Sequence, residues 1–384
     1  MRITCVLGPY LPVPAVRGGA VEKIWLELCK EFARNGHDVT MISRRFQDFP
    51  INEMRDGIRH IRVASTDAPA SKILYRLHDI IYALRVCRAL PASEVTVTNS
   101  VSLPLLLPRT RAGIIYVSVA RFPKGQLGLY KKAHRLQAVS SAVATAIRRQ
   151  TPVLAERVRV IPNTISDTFL RLPNNSPSAK QKEVLYVGRI AREKGLDILI
   201  RAFLRMPPDL NEWTLTLLGP SRVESGGDGT SYLNELELLA ESQKSRIRFE
   251  APIFNEIALK ARLKRAEIFA YPSVAEYGES FGMAPLEAMA CGCAVIVSKL
   301  PCFADFIDAG ENALTFDHKD KSGSSLADQL ITLMKSPETR LRLSESAQCR
   351  ALSFAPSRIA QMFISDFENL IAATTAEPSI HAKV

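Results

Sequence analysis

No apolar run in this 384-residue chain approaches the roughly 18 to 20 residues that a bilayer core demands. Met1-Arg2 leads into a strand-like segment rather than a signal peptide, so the expectation is a cytoplasmic protein. Low-complexity tracts, short-period repeats and long charge blocks are missing too, which excludes collagen-like, solenoid and largely disordered classes. Only the last ten or so residues are expected to fray. The seven cysteines are odd in number and dispersed, which argues against a disulfide framework and fits a reducing compartment. Cys291 and Cys293 are the one close pair, and no second Cys/His pair lies at zinc-site spacing. They read as small core residues. GxGxxG is absent from the opening strand-loop-helix, which weighs against a dinucleotide oxidoreductase.

What is present is ordinary for a soluble globular protein: 47% hydrophobic and 23% charged residues, in a chain long enough for about two domains. Fifty Lys and Arg against 39 Asp and Glu leave a formal charge of +11, which draws the protein towards phosphates. Nucleic acid is the weakest of those partners, because the basic residues are dispersed and lack an aromatic stacking motif. Anionic lipid headgroups and a phosphorylated substrate remain.

Along the chain, apolar strands alternate with helical spacing, the rhythm of parallel α/β architecture. Arg2–Gly8 reads as a strand and Ala20–Asn35 as a helix, with Pro9–Gly19 between them. Gly18 and Gly19 let backbone approach a ligand at that helix start, or serve a tight loop-to-helix entry. Further strands are expected at Val39–Ser43, Ile58–Ala64, Val95–Asn99 and Gly113–Val119. Arg76, Arg85 and Arg88 alternate with apolar positions across Ser71–Ala89, a helix suited to an anionic membrane or to a solvated face. The loop after Gly113–Val119 stands where open parallel sheets bind ligands, making Arg121 and Lys124 candidates for an acceptor or phosphate contact, with plain surface charge as the alternative. Leu136–Val139, Ser140 as N-cap, the helix Ser141–Arg149 and the strand Val158–Ile161 continue the rhythm.

Pro162, Pro173, Asn174, Asn175 and Pro177 interrupt it, placing a domain boundary in 163–178. A second unit starts at Glu183–Val187. Gly188-Arg189-Ile190-Ala191-Arg192-Glu193-Lys194-Gly195 follows, before a helix over Leu196–Leu204. Three cations just before a helix N-terminus oppose the macrodipole, which a bound diphosphate resolves; local pairing of Arg192 or Lys194 with Glu193 or Asp197 is the structural alternative. Strands at Trp213–Leu218, Arg246–Glu250 and Ile268–Tyr271 and helices at Tyr232–Glu241 and Glu256–Arg265 complete the pattern. The helix Pro356–Ala373 is expected to fold back over the first half.

The densest signal is AYPSVAEYGESFGMAPLEAMACGCAVIV, Ala270–Val297. A buried strand ends at Pro272-Ser273, a polar loop carries Glu276 to Gly282, and Pro285 is expected as the first residue of a short helix that stops at Gly292. Unpaired N–H groups at such a helix start suit an anion. Glu287 is expected in the first turn, where an acid stabilises any helix.

Together, GRIAREKG and ESFGMAPLEAMACG resemble the GT-B glycosyltransferases of family 4 (group 1 glycosyltransferases), retaining enzymes that use nucleotide sugars. The element Glu-x7-Glu is Glu279 to Glu287, and Gly18-Gly19, IPNTISDTF and PCFADFIDAGENAL support it in order and spacing. The resemblance implies two Rossmann-like doubly wound domains facing across a cleft: residues 1–165 binding the acceptor, 166–355 binding the nucleotide sugar, and 356–384 crossing back. It implies that Arg189 and Lys194 neutralise the donor diphosphate, Glu279 contacts the donor sugar and Glu287 holds the ribose hydroxyls. Phe281, Gly282 and Met283 would present backbone N–H groups to the donor, as would Gly18 and Gly19. Neither a metal nor another cofactor is implied, and no DxD motif stands out.

One departure concerns a histidine that similar transferases carry after the strand equivalent to Gly113–Val119. Here the segment reads Val117-Ser118-Val119-Ala120-Arg121, and none of the six histidines falls in it. Ser118 or Arg121 takes over a contact, substrate preference is altered, or the site is impaired. The expected function is hexose transfer from a UDP- or GDP-sugar to a glycan or lipid-linked glycan, peripheral to the inner face of a membrane. A non-catalytic nucleotide-sugar-binding or scaffold protein is the alternative.

Overall fold

Parallel pairing carries both sheets of the molecule. In the computed structural model, which describes residues 1–170 and 180–376, the chain divides into two compact units, Met1–Thr164 with the segment from Pro356 onward, and Ile165–Ala355. Pro173, Asn174, Asn175, Pro177 and Ser178 of the expected boundary lie outside the described residues, as do residues 377–384 at the end.

Among the described residues the first unit holds eight strands: β1 (Arg2–Val6), β2 (Asp38–Arg44), β3 (Asn52–Arg55), β4 (Ile58–Val63), β5 (Val95–Thr98), β6 (Ile114–Val119), β7 (Arg135–Ala138) and β8 (Val158–Val160). Their order is β3-β4-β2-β1-β5-β6-β7-β8. Only β3 runs antiparallel, against β4. All six residues of β6 and all four of β5 are buried, which is why such strands read as apolar runs rather than alternating ones. The helix Ala20–Arg34 lays Ile24, Trp25, Leu28 and Phe32 inward at helical spacing.

The helix Pro356–Ala376 belongs to this unit. Ile359, Ala360, Phe363, Ile364 and Phe367 are buried along one stripe of it. Phe363 meets Trp25 at 5.2 Å between ring centroids, and Phe367 meets Tyr116 at 5.0 Å, edge to face. Burial of two such phenyl groups contributes about 2 to 3 kcal/mol each. Asp366 on the same face accepts from Tyr116 Oη at 2.9 Å and from Arg135 Nε and Nη2 at 2.9 and 2.7 Å, so the buried carboxylate is fully partnered.

Among the described residues the second unit has six parallel strands, β9 (Gln181–Val187), β10 (Thr214–Leu218), β11 (Ile247–Glu250), β12 (Ala266–Tyr271), β13 (Ala294–Ser298) and β14 (Leu314–Phe316), ordered β11-β10-β9-β12-β13-β14. Because β9 has β10 on one side and β12 on the other, the connections leave its two flanks in opposite directions. A crevice at the carboxyl ends of β9 and β12 follows from that reversal, and open α/β sheets place ligands there. Two Rossmann-like units thus make up the fold.

Two local expectations are corrected. The helix after the Glu276–Gly282 loop spans Met283–Ala290, so Pro285 is its third residue, not its first. Proline is still accommodated, since none of the first four N–H groups has an intrahelical acceptor. Glu287 is consequently the fifth residue and leaves the first turn, which removes the macrodipole as a reason for an acid there.

Candidate functional site

The loops after β9 and β12 meet at the switch point of the second sheet. They are tied by backbone, the Val274 N–H donating to Glu193 O at 2.9 Å, with the Ser273 hydroxyl adding a bond to the same oxygen at 3.3 Å. Close contact depends on Gly195, whose φ is +63° and where a Cβ would stand 2.4 Å from the Pro272 carbonyl oxygen. The loop holding the cations is thereby pressed against the strand that leads to Glu279.

Lys194 Nζ donates to Glu279 Oε2 at 2.6 Å, and both side chains are about nine-tenths buried. Tyr271, the last residue of β12, donates its hydroxyl to the same Oε2 at 3.1 Å, and its ring lies 5.3 Å from Lys194 Nζ. Burial, then the Glu279 charge, raises the Tyr271 hydroxyl well above its ordinary pKa, so it stays a donor. Tyr186 of β9 stacks on Tyr271 at 5.7 Å and donates to Arg189 O at 2.8 Å. Neither tyrosine is singled out by sequence. Their only signal is an aromatic near the carboxyl end of each of two strands that flank the crevice.

Arg189 is half exposed, with Nη2 2.5 Å from Glu193 Oε1 and Nη1 donating to Gly226 O at 2.7 Å. Arg192 turns elsewhere: it pairs with Glu235 at 2.5 Å and lies 4.6 Å over the Tyr232 ring. All three cations of GRIAREKG therefore have acids beside them, but only Glu193 is local in sequence. Among the described residues, neither Arg192 nor Lys194 forms an ion pair with Asp197. A groove of about 650 Å³ opens beside Arg192, Tyr232 and Glu235, and neither Arg189, Lys194 nor Glu279 lines it. Phe281 and Gly282 are buried, Met283 begins the helix with Gly282 as its N-cap, and Glu287 is partly buried one turn on.

In the first unit, Gly18 and Gly19 have φ of +80° and +114° ahead of the helix Ala20–Arg34. A Cβ on Gly19 would stand 2.3 Å from Glu22 Oε2. The glycine therefore answers to Glu22, a buried acid that sequence reading passes over. Its pKa is raised chiefly by burial, opposed by a backbone hydrogen bond and by the charge of Arg121. Arg121 is exposed two residues beyond β6, whereas Ser118 is buried within that strand. Lys124 is exposed, its backbone N–H bonded to Gln126 Oε1 at 2.9 Å. Of the acceptor-side candidates, Arg121 alone has a charge felt at Glu22. Among the described residues, no group of three or more His, Cys, Asp or Glu is placed to hold a metal ion.

With this geometry in place, comparison with known proteins gives a consistent family. A model described as "Glycosyl transferases group 1" matches residues 169–350, and one described as "Glycosyltransferase Family 4" matches residues 18–169. Spore coat protein SA of Bacillus subtilis (strain 168) is 22% identical over 96% of this chain and 99% of its own. D-inositol 3-phosphate glycosyltransferase of Corynebacterium glutamicum (strain R) is 32% identical over 52% of this chain, a match spanning only 46% of that relative. Among solved structures, sucrose-phosphate synthase from Thermosynechococcus elongatus superposes with a TM-score of 0.80 at 21% identity, covering 97% of this chain and 100% of that one. Anabaena HepE in complex with UDP and glucose gives a TM-score of 0.75 at 18% identity, covering 96% and 100%. Two family models that run between them from residue 18 to 350, on a frame of two Rossmann-like units, make the chain a member of the group 1 glycosyltransferases with the GT-B fold.

Proposed function

We propose that the protein transfers a hexose, with retention of configuration, from a UDP- or GDP-sugar to a glycan acceptor carried on a lipid at the cytoplasmic face of a membrane. The observation that carries the reading is the Lys194–Glu279 pair at the carboxyl ends of β9 and β12, with Arg189 alongside. Support for a uridine nucleotide comes from the HepE structure with UDP and glucose. Support for a glycan product comes from the family alone.

In this reading Arg189 and Lys194 face the diphosphate, where negative charge grows on the leaving group as the glycosidic bond breaks. Both hydrogen bonds to the Glu279 carboxylate fall on Oε2, which leaves Oε1 to accept from a sugar hydroxyl. Glu287 takes the ribose hydroxyls, and the N–H groups at Phe281–Met283 approach the donor from the helix start. Attack on the same face as departure needs no second carboxylate as nucleophile, so the separation rule for glycosidase acids does not apply. The leaving phosphate takes the acceptor proton. Arg121 takes the acceptor contact in this reading, in place of the absent histidine.

The test is incubation with UDP- and GDP-hexoses and lipid-linked glycans. An α-linked product and one free nucleoside diphosphate per transfer are expected. Full activity in Glu279→Ala would refute the site, and tight donor binding without turnover on any acceptor would favour the scaffold alternative.

A further inference from the structure

The helix Lys72–Ala89 turns a narrow side inward. Asp79, Tyr82, Ala83 and Val86 are buried, and Asp79 accepts from Ser100 Oγ at 3.0 Å and the Ser102 N–H at 2.8 Å. Its other side exposes Ile73, Leu74, Leu77, Ile80, Ile81 and Leu84, with Ile73 at 80%. The short helix Leu103–Leu106 packs beside it and adds exposed Leu105 and Leu106. Single exposed leucines need no account; a continuous set on adjoining helices marks a surface that meets something.

The charges on that surface have one sign. Lys72, Arg76, Arg85 and Arg88 are exposed around the apolar side chains, and Asp79, the helix's one carboxylate, is buried. Arg111 extends the basic rim, donating to Leu90 O and Cys87 O. A second copy docked on this face about a twofold axis would set the same cations against themselves with no carboxylate on the helix to answer them. An anionic leaflet answers both components, taking the apolar side chains below the headgroups and the cations at their level. Among the described residues no helix is long and apolar enough to cross a membrane, consistent with a helix lying in the interface plane.

We propose that the exposed face of Lys72–Ala89, with Leu105 and Leu106, docks on an anionic lipid bilayer. The helix is tied to the loop after β1: the Tyr10 hydroxyl donates to Tyr75 O at 2.5 Å, and the two rings lie 4.3 Å apart at a tilt of 35°. A lipid-anchored acceptor would then be held at the first unit. That last step rests on the transferase reading; the docking does not.

The experiment is flotation of the full chain with vesicles of phosphatidylcholine alone and of phosphatidylcholine with phosphatidylglycerol. Binding is expected to the mixed vesicles only, and to be released by salt. Ile73→Gln/Leu77→Gln/Leu84→Gln should lower partitioning about tenfold or more. Arg76→Gln/Arg85→Gln should lower it about fivefold per cation. Both variants should keep the parent melting temperature and the thermal shift produced by UDP, so failure of docking is distinguishable from failure of the donor site. No binding to mixed vesicles, unchanged binding of the triple variant, or a dimer in sedimentation velocity that the triple variant dissolves would overturn the proposal.

Discussion

Lys194 Nζ and Glu279 Oε2 lie 2.6 Å apart although 85 residues separate them in the chain. One belongs to the loop after the first strand of the second sheet, the other to the loop after its fourth. The pair therefore reports the strand order directly: only a sheet in which β9 and β12 are neighbours brings these side chains together.

Breaking the pair from one side is expected to be costly. Lys194→Ala leaves a buried carboxylate with the Tyr271 hydroxyl as donor but no cation in contact, a loss of about 3 kcal/mol in urea unfolding. Lys194→Met/Glu279→Met should recover most of that stability, because two apolar groups of similar volume replace both ions. Sugar transfer should be abolished in both variants, and retention of activity in the double variant would remove the pair from the mechanism.

Arg189 tests charge without fold. Its side chain is half exposed and its ion pair with Glu193 is of the screened kind, so Arg189→Ala should change stability by no more than about 0.5 kcal/mol. Loss of one cation from the diphosphate should lower kcat about a hundredfold. Steady-state release of nucleoside diphosphate checks both halves of the expectation against a urea curve.

Glu22 gives a pH dependence of definite sign. Burial raises its pKa in the folded chain, so the folded state holds the proton to higher pH than the unfolded state does. Its contribution to stability should fall as pH rises from the ordinary carboxylate range through the raised folded value, and then stay constant. Glu22→Gln should flatten that decline and raise the melting temperature at neutral pH. A series of melting curves from acid to neutral pH decides it.

Asp366 anchors the closing helix through Tyr116 and Arg135. Asp366→Ala strands a mostly buried guanidinium and removes three hydrogen bonds, which should cost about 3 kcal/mol. Calorimetry should show the loss in one of two unfolding transitions, leaving the other in place. A uniform shift of both would contradict the division into units.

How much of this is legible without coordinates varies from residue to residue. The helices Leu196–Leu204 and Glu256–Arg265 are readable to their ends, the latter because Asn255 caps it by accepting from the Ala258 N–H at 3.0 Å. Ser140 caps Ser141–Gln150 in the same way. The edge strand Asn52–Arg55 escapes an argument from hydrophobic periodicity, because its one apolar residue, Met54, is exposed and the strand is held by backbone pairing with β4. Its signal lies in Asp56-Gly57, both at positive φ, the dipeptide of a two-residue hairpin. At the site, Arg189, Lys194 and Glu279 stand out by motif and charge. Tyr186, Tyr271 and Glu22 do not, because a buried tyrosine in a strand and an acid in a helix are unexceptional until tertiary contacts show what they touch.

The return of Pro356–Ala376 to the first unit has a consequence for how the chain matures. As the polypeptide leaves the ribosome, the sheet that presents Tyr116 and the helix that carries Trp25 and Phe32 emerge early, while Phe363 and Phe367, which cover them, emerge only after all of Ile165–Ala355. The intervening unit, Ile165–Ala355, can close its own core first. The half synthesised first is therefore the half completed last, and until then its aromatic surface is open to chaperones and to aggregation.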